Sequence, residues 1–176
     1  MAFEPAELQA ADPVASALEG VEESPEAFVA RWRPHAADAE LFARPEGVPL
    51  VECRVGGAVV QVLERTGPYL SRPGHARLVV NPTVAELRPA APGEQPRLES
   101  LGLSRVGGVG RVVEREGQVV VVDAGAPLVV AVSGRVPAWV TPGALVTFES
   151  EAPVHGFVVS GERFAVHRRD AVDETI

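Results

Sequence analysis

From Val48 onward the chain is written in short valine-rich runs, each closed by glycine, proline or aspartate. Apolar runs of that length, bounded by turn formers, specify β-strands and leave no room for a helical bundle. Residues 111–115, then Gly117, then residues 118–123 read as strand, tight turn, strand. Residues 128–133 and 144–149 supply two more strands, and residues 157–160 and 164–167, broken by Gly161, a closing hairpin. The body is therefore mainly β.

Residues 1–47 have a different texture. They hold ten acidic residues and three arginines, with twelve alanines and three valines, whereas residues 48–176 are close to neutral and hold twenty-eight valines. The formal net charge of −8 is thus concentrated in an acidic, Ala-rich arm. Its local signals are helical: Asp12-Pro13 and Ser24-Pro25 each place an N-cap before a proline at the first helical position, and Gly20 suits a helix end. Phe28, Val29 and Trp32 share one helical face, and Pro34 ends that helix. Residues 35–43 are expected to add another helical turn or two, carrying Leu41 and Phe42. Helices this short do not stand alone in water, so their apolar faces must dock on the body or on a neighbour.

Sliding the chain along itself by about fifty residues lays Arg54-Val-Gly-Gly on Arg105-Val-Gly-Gly and Leu78-Val-Val on Leu128-Val-Val. It also lays Pro92-Gly93 on Pro142-Gly143. Two such units, each of about four strands, are too small for sandwiches and resemble tandem OB-like or SH3-like β-barrels. The expected division is a helical arm over 1–47, a first barrel over 48–104, a second over 105–168 and a tail over 169–176.

The copies diverge in one place. Where the second has Gly117 followed by Val119, Val120, Val121 and Val122, a run that must be covered on both faces, the first has two prolines and a loop. That loop carries Tyr69, Arg72 and His75 between Arg65 and Arg77. Guanidinium groups, a ring and an imidazole on an irregular segment suit an anionic or aromatic partner, so these five residues form the candidate binding loop. Val119–Val122, with Phe28 and Trp32, form the candidate partner or subunit interface.

No catalytic constellation emerges. His35, His75, His155 and His167 are scattered with no metal-binding spacing, and no cofactor or metal is expected. Cys53, alone in the chain, reads as a small buried residue; it excludes an internal disulfide. Residues 107–110 fail the spacing of a dinucleotide loop. Arg111 and Arg115 have an RxxxR spacing similar to that of cyclic-dinucleotide-binding barrels of the PilZ kind, but the downstream half of that motif, Asp or Asn with Ser and Gly, is missing. Trp139, Phe148, Phe157 and Phe164 alternate with valine and are expected in the core. All sixteen basic residues are arginine, which reflects a GC-rich genome before it reflects phosphate recognition.

These features point to a cytoplasmic, non-enzymatic assembly or adaptor subunit acting through protein–protein contacts or self-association, with no membrane span. The alternative is a nucleic-acid-binding barrel pair using the Arg/Tyr loop. Net charge −8 and few aromatic residues weigh against it.

Overall fold

The computed structural model describes residues 23–67 and 72–159. The Asp12 helix, the Tyr69 tip of the loop, the Phe164 strand and the tail lie outside the described residues.

Helix α1 (Pro25–Trp32) starts as expected. The Ser24 side chain accepts a hydrogen bond from the Ala27 amide at 3.2 Å, Pro25 occupies the first turn, and a 3₁₀ turn (Arg33–His35) takes over at Pro34. The next stretch is not helical. Ala37–Leu41 forms strand β1, with Ala37, Ala39 and Leu41 buried and Asp38 and Glu40 exposed. Two acidic residues alternating with apolar ones fit a pleat as well as a helix, and burial of the apolar set against neighbouring strands overrides alanine's helical preference.

Five strands close a barrel in the order β1, β2 (Leu50–Val55), β3 (Ala58–Glu64), β12 (His155–Val158), β4 (Gly74–Asn81) and back to β1. All neighbours are antiparallel except β12 beside β3. The other strands, β5 (Thr83–Val84), β6 (Arg88–Pro89), β7 (Arg97–Gly102), β8 (Arg105–Glu116), β9 (Val119–Asp123), β10 (Pro127–Val132) and β11 (Leu145–Glu149), form a curled sheet. Its order is β5, β10, β9, β8, β11, β6, with β7 on β8. An antiparallel bridge from Val84 to Ser150 draws its two sides together.

The second sheet repeats the pairing of the barrel. Strands β8, β9, β10, β5 and β11 take the places of β1, β2, β3, β12 and β4. The parallel pair β10–β5 corresponds to β3–β12, and the Val84–Ser150 bridge to the Gly156–Val80 pair. The backbone bonds agree as well. Leu63 N–H donates to Val154 O and Arg65 N–H to Gly156 O in the barrel, as Ala131 N–H donates to Pro82 O and Ser133 N–H to Val84 O in the sheet. The hairpin turn at Gly56 abuts the corresponding turn at Gly125 and Ala126 so closely that a Cβ on Gly56 would lie 3.1 Å from the Ala126 Cβ.

The fifth strand is therefore exchanged in both directions. The chain leaves β4 of the barrel and within two residues becomes β5, the fifth strand of the sheet; after β11 of the sheet it becomes β12, the fifth strand of the barrel. This arrangement corrects two expectations. The chain is not divided at residue 104, since β5, β6 and β7 belong with the second sheet and β12 with the barrel. The repeat is not fifty residues long either: Leu50 and Val119 begin corresponding strands at an offset of 69. At fifty, Arg54 near the end of β2 is laid on Arg105 at the start of β8, and β4 is laid on β10. Valine-rich strands match one another well enough for the sequences to slip by one strand.

The interiors of barrel and sheet join in one core that includes Cys53, Val60, Leu78, Val120, Leu128 and Val146. Outside it, α1 lies across the seam between the two. Trp32 packs with Val79 and Phe157 of the barrel and Val121 and Val129 of the sheet, and the Phe28 ring lies 4.5 Å from that of Phe157.

Candidate functional site

The run Val119–Val122 is covered on both faces within the chain. Val120 and Val122 face the interior core, while Val121 faces the seam under Trp32; all three are fully buried. Phe28 packs partly buried against the same seam. The covering that the apolar run demands is supplied within the chain by α1 and by the barrel: Val120, Val121, Val122 and Trp32 are buried there, and Phe28 and Val119 stay partly exposed.

The candidate binding loop is dispersed. Tyr69 lies outside the described residues, and Arg72 is exposed beside it. Arg77 points outward from β4, and its Nη2 donates to Ala36 O at 3.0 Å, tying the strand to the end of the 3₁₀ turn. His75, two residues earlier, has its Nε2 3.8 Å from Asp38 Oδ1 on β1. Asp38, Glu40, Arg54 and His75 flank a shallow groove of about 530 Å³ floored by Gly56, Gly57 and Gly74, in which Arg54 Nη1 donates to Glu40 at 3.0 Å. Opposite charges paired across strands in open solvent are a solvated face of small energetic weight.

Arg65 lies on the other side of the barrel strands. It follows the last residue of β3, fixed by its own amide bond to Gly156 O, and its Nη1 stands 2.9 Å from His155 Nδ1 at the start of β12. A guanidinium has no lone pair to offer, so it donates and the imidazole accepts, which puts the imidazole proton on Nε2. Burial, then the Arg65 charge, holds His155 below the usual histidine range. Ninety residues separate the two in sequence, and only the parallel register of β12 on β3 joins them. Sequence reasoning treats His155 as a lone half-buried histidine because no local signal gives that register.

Other groups are committed to the fold. Arg111 Nη1 donates to Gly143 O at 3.0 Å and Arg115 Nη1 to Pro137 O at 3.2 Å, and a bulge between Val112 and Glu114 breaks the alternation that an RxxxR clamp needs. The Cys53 thiol is fully buried and pushed up to about 12, by burial first and Glu52 second, so it is inert as a nucleophile. Ser104 and Ser150, buried on β8's flanks, accept from the Val154 and Val106 amides at 2.9 Å. Among the described residues no group of three or more His, Cys, Asp or Glu gathers as for a metal ion, and no helix is long and apolar enough to cross a membrane.

The exposed apolar side chains complete the surface. Phe148 and Phe157 are buried as expected, but Trp139 is 39% exposed in the turn before β11. The tip between β7 and β8 carries Leu101 at 36% and Leu103 at 71% exposure, and Val59 on neighbouring β3 is 40% exposed. Sequence reasoning missed these residues; the available signal was Gly102 between two leucines, an apolar stretch where turns prefer polar residues. Compared with protein-family models, curated proteins and solved structures, the chain has no match.

Proposed function

We propose that this chain is a non-enzymatic interaction protein, an assembly or adaptor subunit that works through protein–protein contacts. The observation that carries the reading is the β7–β8 tip. Leu103 stands in solvent at the turn, where a polar residue costs nothing, and is the most exposed large apolar side chain among the described residues; Leu101, near the end of β7, is 36% exposed. The face expected from the sequence is spent on the seam, so the proposed contact surface moves to Leu101 and Leu103.

The strand order β1, β2, β3, β12, β4, with its parallel pair, supports reading the barrel as OB-like and the second sheet as a second unit of the same plan. OB barrels hold oligonucleotides on the face of their second and third strands, where bases stack on rings. Here β2 and β3 contain no aromatic residue and carry Glu52, Arg54 and Gln61 outward, with Arg54 held by Glu40 and Gln61 by Glu52. That composition favours a protein partner over nucleic acid.

Sedimentation equilibrium tests the reading, with self-association as the simplest case. The wild-type chain should associate with rising concentration, and Leu101→Ser/Leu103→Ser should sediment as a monomer with an unchanged melting temperature. Identical monomeric behaviour of both would remove the reading. Salt-sensitive binding of single-stranded DNA, lost in Arg72→Ala, would replace it with the nucleic-acid alternative.

A further inference from the structure

We infer that Arg65 and His155 form a binding site for a dianionic oxyanion of the phosphate class. The inference is independent of the protein-contact reading, because it rests on different residues.

The first argument is the company Arg65 keeps. Arg54, Arg88 and Arg97 meet carboxylates, and Arg105, Arg111 and Arg115 meet backbone carbonyls. Arg65 meets an imidazole nitrogen, a second basic group. The neighbouring carboxylate that could have balanced it, Glu64, is turned back to accept from the Thr66 amide and hydroxyl. Across β12, Asn81 is engaged with Val129 O at 2.7 Å. Arg65 is thus the charged group that acts on His155, and among the described residues neither has an acid paired with it.

The second argument is the comparison between the two halves. The backbone framework that positions this pair recurs in the second sheet, where Ser133 and Thr83 stand in the places of Arg65 and His155. That sheet closes with small neutral side chains, and the Ser133 hydroxyl simply donates to Val84 O. The fold does not need a charged pair there.

The third argument is chemical. A guanidinium that gives up its bond to the ring can offer a planar fork to two oxygens of an anion. The ring then takes a proton from solvent on Nδ1 and donates it to the same anion, so that two cationic donors face a dianion. Both groups leave from rigid points, since the amide bonds from Leu63 to Val154 O and from Arg65 to Gly156 O lock β3 against β12. Binding takes up one proton and therefore tightens as pH falls through the histidine range.

Proton NMR of the imidazole C–H resonances tests this, with His155 assigned by the signal missing in His155→Gln. Sulfate, which stays dianionic throughout, should raise the His155 titration midpoint by about one pH unit. In Arg65→Gln the midpoint without anion should already be higher, and sulfate should no longer move it. An unmoved midpoint in wild type, or an equal shift in Arg65→Gln, overturns the proposal. Inorganic phosphate and O-phosphoserine distinguish the source: a response to both assigns the site to the phosphate group itself, a response to O-phosphoserine alone assigns it to a phosphate ester on a larger molecule, and no response to either overturns it.

Discussion

At corresponding points the barrel carries Cys53, Val80 and Gly156 where the second sheet carries Val122, Ser150 and Val84. The ladder is the same in both, and each half fills its interior with what its own curvature allows. In the barrel β12 passes so close to β3 and β4 that a Cβ on Gly156 would lie 2.8 Å from Val62 Cγ2. In the sheet the equivalent crossing is a single bridge, and there is room for Val84 and for a serine that bonds Val106. The outside differs more. Among the described residues the barrel has no strand beyond its five, whereas the sheet adds β6, β7 and a bulged, lengthened β8. What the halves share is what closure requires; what only one of them has is available for contacts.

That comparison makes the two halves dependent on each other, and the largest expected effect tests this directly. Leu78 on β4 and Leu128 on β10 are fully buried, one in each half. Either one changed to alanine should cost about 2–5 kcal/mol. Because each half holds a strand that the other's chain path must deliver, amide exchange in β2–β3 and in β8–β9 should accelerate together in both variants. Acceleration confined to the mutated half would show two independent domains.

Gly156→Val in the barrel comes next, at about 1–3 kcal/mol from overpacking against Val62 and Leu78, measured by denaturant unfolding. A neutral result would mean that the barrel crossing is as roomy as the sheet's. Ser150→Ala in the sheet should cost about 1–3 kcal/mol by stripping the buried Val106 amide of its acceptor. Its barrel counterpart Val80 bonds nothing through its side chain, so a Val80→Thr change should show no compensating gain.

The effect that is smallest at neutral pH, because it emerges only in alkali, distinguishes the halves by pH. Burial raises the Cys53 thiol from 9.0 to about 12, so the folded state favours the protonated form. The stability this contributes is complete below pH 9, declines as the unfolded thiol ionises, and is gone by about 12. Wild type should lose stability faster than Cys53→Ala across that window, while a Val122→Ala variant should track wild type. Parallel curves for wild type and Cys53→Ala would contradict the burial argument.

Much of the ladder was legible. The N-cap at Ser24, the turn at Gly117 and strands β9, β10 and β11 fall where alternation and turn residues put them, because those signals are local. Strand β1 was not, since an alanine-rich stretch with acids at alternate positions satisfies helix and strand alike until a sheet is present to bury it. The repeat was visible as a texture and misplaced by a strand, because valine at nearly every buried position carries no register. The Arg65–His155 pair was illegible for a stronger reason: its two members meet only after the chain has traversed the whole second sheet.

The crossing of β4 into β5 and of β11 into β12 has a consequence for how such a gene can change. The second sheet is nested in one stretch between β4 and β12, so a single break before Thr83 keeps its five staves together, whereas every fragment that holds all five staves of the barrel carries the sheet as well. The barrel is therefore inherited only with its insert, and its own diversity must come from the turns instead of from shuffling.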